Sequence, residues 1–198
     1  MKTLSAITLS VILFFGAANL AVAQSFDVNT SQSKVKWNGK KVTGEHYGTI
    51  NLKSGNLTVA NGQVTGGNFE MDMTSIVCED LTNQDINARL VGHLKSDDFF
   101  SVDKHATSKF VVTNVKKVSG NEYEFTGNLT IKGITHPVTF TANTEVNGNQ
   151  LKANGKITVD RTKYDIRFRS GRFFSDLGDN LIYDDFTLDF SLTAQASN

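Results

Sequence analysis

Residues 185–194 read DFTLDFSLTA. In an extended chain Phe186, Leu188, Phe190, Leu192 and Ala194 fall on one face, and Asp185, Thr187, Asp189, Ser191 and Thr193 on the other. An apolar period of two marks a strand with one buried and one solvated face; a helix would bring apolar residues back every three or four positions. Working outward from this segment, the same alternation runs through Tyr123, Phe125, Gly127, Leu129 and Ile131, and through Val138, Phe140, Ala142, Thr144 and Val146. Shorter versions occupy Val35–Trp37, His46–Leu52, Leu57–Val59, Val64–Met73, Phe110–Val115 and Leu151–Val159.

Turn signals separate these runs: Lys53-Ser54-Gly55, Asn61-Gly62, Ser119-Gly120-Asn121, Lys132-Gly133 and Asn147-Gly148-Asn149. Such spacing is that of antiparallel hairpins and leaves no room for crossover helices. Long strands with one apolar face predict an all-β fold, a closed antiparallel barrel of about eight strands, because closure removes the exposed edges. The phrase Gly55-Asn56-Leu57-Thr58-Val59 recurs as Gly127-Asn128-Leu129-Thr130-Ile131, a repeat short enough to arise by chance as well as by duplication.

One stretch breaks the rhythm. Asn83–Lys95, NQDINARLVGHLK, places Ile86, Leu90 and Leu94 four apart, with Asn83 or Asp85 available as N-cap, and predicts a short amphipathic helix between strands. Residues 161–184 are also irregular, rich first in Arg and Phe and then in Asp.

The N-terminus reads as an address. Lys2 precedes an uncharged run from Thr3 to Ala23 that ends Ala21-Val22-Ala23, so residues 1–23 are expected to be a signal peptide cleaved before Gln24. A transmembrane anchor is the competing reading, but Ser5, Ser10 and Asn19 interrupt the run and no positive flank follows it. The expectation is therefore a periplasmic or secreted protein, residues 24–198, with no membrane span in its mature form.

The 198 residues carry 20 Lys+Arg and 20 Asp+Glu, a balance that offers no basic surface for nucleic acid. A single cysteine, Cys78, excludes an intramolecular disulfide and a multi-thiolate cluster; the simplest role for it is a buried inert thiol. No glycine-rich phosphate loop, nucleophile elbow or His-Glu-x-x-His motif occurs, and no cofactor is called for. His46, His93, His105 and His136 are dispersed, and no metal site is assigned. The aspartates from Asp176 to Asp185 lack the spacing of a calcium loop and read as a solvated turn. Asp160-Arg161 at a strand end reads as an ion pair that pins the following loop. Three Asn-x-Ser/Thr triplets, at Asn29, Asn56 and Asn128, are expected by chance in a Thr-rich chain.

The unusual feature is phenylalanine, 14 against one Trp and four Tyr, which supplies apolar surface without hydrogen-bonding groups. A barrel of about eight strands is the size at which side chains either fill the interior or leave room for one small ligand. Phe99-Phe100 after the helix, and Phe173-Phe174 in the second irregular stretch, are candidates for the rim of such a lumen.

Leu90–Phe100 (LVGHLKSDDFF), Gly127–Val138 (GNLTIKGITHPV) and Asp160–Ile166 (DRTKYDI), with Trp37 and His46-x-Gly48 upstream, resemble the YceI-like family across the whole exported chain. The family commonly continues the double Phe with Asp and then Tyr-Pro, where this chain has Ser101 and His105-Ala106. The resemblance implies an exported, lipocalin-like, polyisoprenoid-binding barrel whose lumen holds a polyisoprenoid, quinone-like or fatty chain. It implies a binding or transport protein and not an enzyme, with a lipid-like small molecule as partner.

Inward parity and loop position nominate Trp37, Phe69, Leu90, Leu94, Phe99, Phe100, Phe110, Phe125, Phe140, Phe168, Phe186 and Phe190 as lumen lining. His93, Arg161 and Tyr164 are candidates for contact with a polar head group. Two other readings stand beside this one: an enzyme using His93 and His105 with Asp97, Asp98 or Asp103, and an envelope stress or interaction protein whose barrel is filled. A homodimer is compatible with either binding reading.

Overall fold

The computed structural model describes residues 23–197. All of the expected signal peptide except Ala23 lies outside the described residues. The strands are β1 (Gln24–Val28), β2 (Lys34–Lys41), β3 (Gly44–Ala60), β4 (Gln63–Cys78), β5 (Thr107–Ser119), β6 (Glu122–Ile131), β7 (Ile134–Asn147), β8 (Gln150–Asp160) and β9 (Ile182–Ala196). One helix, α1 (Gln84–Lys95), joins β4 to β5.

All strand pairs are antiparallel and the sheet closes on itself in the order β1-β3-β2-β9-β8-β7-β6-β5-β4, with β4 returning to β3. β1 and β2 both lie between β3 and β9: β1 pairs with Asn56–Val59 and Ala194–Ala196, β2 with Gly44–Ile50 and Ile182–Ser191. These two short strands make one stave between them, so nine strands build the eight-stave barrel that the alternation predicts.

The lower end carries tight hairpins. Asn61-Gly62 there and Lys132-Gly133 at the upper end have φ of 52° and 73°, and of 51° and 75°, the paired left-handed geometry that matches strand twist. Lys53-Ser54-Gly55, in contrast, is no turn. β3 runs straight through it with a register shift against β4 between Leu52 and Ser54. The physical reason is parity. Ile50 and Leu52 are buried at even positions, Leu57 and Val59 at odd ones, and one extra residue between them returns the apolar side to the interior. A second shift in β4 has the same consequence, burying Met73 and then Ile76 and Cys78.

The floor is solid: Phe26, Leu151 and Ala194 have no exposed surface. β7 and β8 pair only toward the lower end, over Ala142–Asn147 and Gln150–Gly155, and their upper lengths separate. Beside the separated upper lengths the chain makes the 3₁₀ turn Arg161–Tyr164, and Tyr164 and Ile166 are fully buried there. The lone proline, Pro137, sits on the half-paired length of β7, where one flank has no ladder to break.

α1 begins at its expected cap: the Asn83 side chain accepts from the Ile86 N–H at 3.0 Å. None of its residues is buried, and Ile86 is 44% exposed. The helix lies across the top of the barrel as a cover and adds nothing to the floor.

Glycines set how closely rings approach the wall. A Cβ on Gly127 would stand 2.4 Å from Phe110 Cζ and 2.6 Å from the Val111 carbonyl oxygen, and one on Gly155 would stand 2.8 Å from Phe190 Cζ. Gly127→Ala is expected to destabilise the protein by ~1–3 kcal/mol, the usual range for overpacking. This would appear as a lower urea midpoint at unchanged slope; an unchanged midpoint would show that ring and carbonyl yield freely.

Candidate ligand-binding site

The barrel encloses an apolar cavity of about 210 Å³ whose lining draws on every stave. For scale, an apolar cavity of ~150 Å³ already admits a benzene-sized molecule. Along β9 the lining extends from Ile182 to Leu192. At ~3.3 Å per residue and a tilt near 40°, that is roughly 25 Å of barrel height. Small volume over such a length describes a narrow channel.

Ten of the twelve nominated lining residues border it: Trp37, Phe69, Leu94, Phe99, Phe100, Phe110, Phe125, Phe140, Phe186 and Phe190. The rings pack on one another. Phe125 and Phe140 stack at 5.7 Å between centroids, Phe110 and Phe190 meet Phe140 at 5.5 and 5.8 Å, and Phe69 stacks on Phe110 at 6.5 Å. Phe100 meets Phe186 edge-on at 6.1 Å near the top.

Leu90 and Phe168 are not in the lining. Leu90 is partly buried on α1, a helix that reaches the lumen only through Leu94. Phe168 packs against Phe99 and His93 in the cover, with ring centroids 5.7 and 4.6 Å away. Phe173 and Phe174 are about half exposed, outside the lumen, with the Arg167 guanidinium 4.9 Å from the Phe173 ring centre.

The three head-group candidates separate. His93 is wedged edge-on between Phe99 and Phe168, its Nε2 3.1 Å from Asp98 Oδ2, and does not border the lumen. Arg161 borders it but is 4% exposed and committed elsewhere. Its Nη1 donates to the Ile166 carbonyl at 2.8 Å, its Nε to that of Tyr183 at 3.1 Å and its Nη2 to that of Ile182 at 3.0 Å. Asp184 stands 3.7 Å away. Burial pushes this guanidinium down, and Asp184 and Asp160 oppose the shift. The loop is pinned, but not by the expected Asp160–Arg161 ion pair: Arg161 holds it through three carbonyls, with Asp184 nearby.

Asp160 instead caps the 3₁₀ turn through Thr162 and pairs with Arg172 at 3.1 Å. Burial raises its carboxyl, but Thr162 and Arg172 outweigh that and hold it below the usual range. Arg172 also reaches Asp184 at 3.5 Å, so arginines engage part of the acidic run. Tyr164 is 1% exposed, lies behind the lining, and its hydroxyl has no hydrogen-bond partner among the described residues.

Alternation alone could have identified more of the lining. Val35, Ile50, Leu188 and Leu192 all border the lumen and stand at inward parity in the sequence. Met73 and Ile76 could not be read this way, because the bulge between them changes which parity points inward. Lys40 and Asp185 border the upper seam between β2 and β9, where the register shifts between Gly39 and Lys41.

A closed antiparallel barrel around an apolar channel, covered by one helix, defines a lipocalin-like class of protein. This chain belongs to the YceI-like family: residues 26–194 match the YceI-like domain. A UPF0312 protein of Pectobacterium carotovorum subsp. carotovorum is 30% identical over 138 residues, 69% of each chain. Among solved structures, BcnA of Burkholderia cenocepacia superposes with a TM-score of 0.69 at 22% identity, over 85% of this chain and 100% of that one. A polyisoprenoid binding domain from Saccharophagus degradans, implicated in plant cell wall breakdown, superposes with a TM-score of 0.61 at 12% identity, over 88% and 99%. Both likenesses establish the fold.

Burial pushes the Tyr164 phenol up to about 12 from its ordinary 10.0, and the Asp160 charge adds to the shift. A raised folded value stabilises fully below pH 10 and is lost as pH rises toward about 12. Tyr164→Phe is therefore expected to keep or gain about 1 kcal/mol at neutral pH, since an unpaired buried hydroxyl disappears. It should also flatten the stability loss across that alkaline window in a denaturant series; an equal loss in both proteins would contradict the assignment.

Proposed function

We propose that this protein is an exported carrier that holds the hydrocarbon chain of an amphiphile, such as a polyisoprenoid, quinone or fatty amide, inside its barrel. The observation that carries this reading is the channel wall: five phenylalanines in stacked, tilted or edge-on contact, Phe69, Phe110, Phe125, Phe140 and Phe190, with no hydrogen-bonding group among them. A surface of this kind discriminates against polar substrates and gains about 0.8 kcal/mol for each methylene it removes from water. The family and the fold shared with a polyisoprenoid binding domain support the same class of ligand.

Polar atoms are concentrated at the upper seam, where Lys40 and Asp185 border the lumen, so the head group is assigned to that end and the tail to the end near Ala142 and Ala153. Arg161 acts here as the latch that holds the seam's loop, and His93 as part of the cover. The protein works by sequestration, with no bond made or broken. No helix among the described residues is long and apolar enough to cross a membrane.

Native mass spectrometry of the protein from its own envelope, followed by organic extraction, is expected to show a bound hydrocarbon-rich molecule. Ala153 is 5% exposed and borders the deep end of the channel, so Ala153→Phe should shorten it. With quinones of graded tail length, the variant is expected to lose the longest first while keeping short ones. Bare protein from several hosts, with no uptake of long-chain quinones or fatty amides, would overturn the reading.

A further inference from the structure

Three side chains of metal-ligand type meet at one corner of the upper rim, outside the channel. His46 is on β3, Cys78 ends β4, and Asp80 follows two residues later. His46 Nδ1 lies 2.7 Å from Asp80 Oδ2, and the Cys78 thiol donates to Asp80 Oδ1 at 3.2 Å. One donor atom from each of the three lies within 4.8 Å of the other two. Among the described residues this is the one such group; His93 and His105 do not join it.

The corner is built before any ion arrives. Gly48 pairs with Cys78, and a Cβ there would stand 1.9 Å from the Val77 carbonyl oxygen, so glycine is what lets β4 close onto β3. The Tyr47 N–H donates to Asp80 Oδ1 at 2.9 Å, and the Glu79 N–H donates to the Tyr47 carbonyl at 2.9 Å. From α1, the Asn87 amide donates to the carbonyls of Cys78 at 2.9 Å and Leu81 at 3.0 Å. Backbone and helix thus hold the two acid-side ligands in register with His46. A cysteine used only as a small hydrophobe has no need to face a carboxylate and an imidazole at once.

We propose that His46, Cys78 and Asp80 bind a single zinc-class divalent ion, independently of what the barrel carries. Thiolate, imidazole and carboxylate together select a borderline-soft transition metal over magnesium or calcium, which prefer an all-oxygen shell. In a tetrahedral site with Zn–S near 2.3 Å and Zn–N near 2.0 Å, neighbouring donors stand roughly 3.5 Å apart. To admit the ion, His46 Nδ1 and Asp80 Oδ2 must open from 2.7 Å and the Cys78–Asp80 contact from 3.2 Å, movements available to the partly exposed side chains of His46 and Asp80. Three protein ligands leave the fourth position to solvent.

The chain provides its own reporter. Trp37, the only tryptophan, borders the channel, and its Nε1–H donates at 3.0 Å to the Val77 carbonyl, which is bonded to the Cys78 nitrogen.

Reduced, chelator-treated protein is titrated with Co²⁺ and then Zn²⁺. One equivalent of Co²⁺ is expected to produce a thiolate-to-cobalt charge-transfer absorption that Zn²⁺ abolishes, and Zn²⁺ is expected to raise the Tm followed by Trp37 fluorescence. Cys78→Ser should lose the absorption. His46→Asn, at a partly exposed position, should keep the metal-free Tm while weakening Zn²⁺ by about tenfold or more. A His93→Asn/His105→Asn double variant should keep both signals. Folded protein with a titratable thiol but no charge-transfer band, or undiminished zinc affinity in His46→Asn, would overturn the proposal.

Discussion

The inner surface of this barrel rests on one constraint: every stave must keep its apolar side inward while leaving room for rings to lie against the wall. Bulges meet the first requirement in β3 and β4, where an even-numbered apolar series gives way to an odd one, or the reverse. Glycines meet the second. Gly55, Gly127 and Gly155 each lack the side chain that would strike Phe69, Phe110 and Phe190. Rings that would otherwise project to the axis can therefore lean on the sheet, and a channel survives where twelve or so large side chains could have filled the space. Closed packing of the interior would have been the default, because voids forfeit dispersion contacts.

The two ends of the barrel divide the labour. Below, two-residue turns and the short strand β1 seal a floor around Phe26, Leu151 and Ala194. Above, two long connections do the work of a cover. The one through α1 ends in a compact loop where Ser101, at φ 50°, donates its hydroxyl to Asp97 and its N–H to the Ser96 carbonyl, presenting Phe99 and Phe100 downward. The other connection hangs on Arg161, whose guanidinium gathers carbonyls from Ile166, Ile182 and Tyr183. A buried guanidinium without these acceptors would be strongly unfavourable, so the loop and the arginine fix one another.

The barrel was legible because period-two alternation is a local property: Phe186 to Ala194 needs no partner to declare a half-buried strand, while the family showed only through the resemblance of Leu90–Phe100, Gly127–Val138 and Asp160–Ile166. The helix was legible for the same reason, from Asn83 and the four-residue spacing of Ile86, Leu90 and Leu94. The lining was legible wherever the alternation ran unbroken, as at Phe125 and Phe140, and failed where position in the chain stood in for position in space. Leu90 belongs to the helix that covers the barrel, yet it does not reach the channel; Phe168 packs on His93 in the cover. Lys53-Ser54-Gly55 has turn-forming residues and is strand, because a long hairpin partner held it extended.

The amino-acid sequence by itself determined a sheet with one greasy face, long enough and turned often enough to close. Only the tertiary structure decided that closure leaves a channel, since that depends on which glycine lies beneath which ring across a strand pair. It alone also brought His46 to Cys78 and Asp80. Those residues are 32 and 34 positions apart in the chain and became neighbours through a register that bulges set and no local pattern encodes.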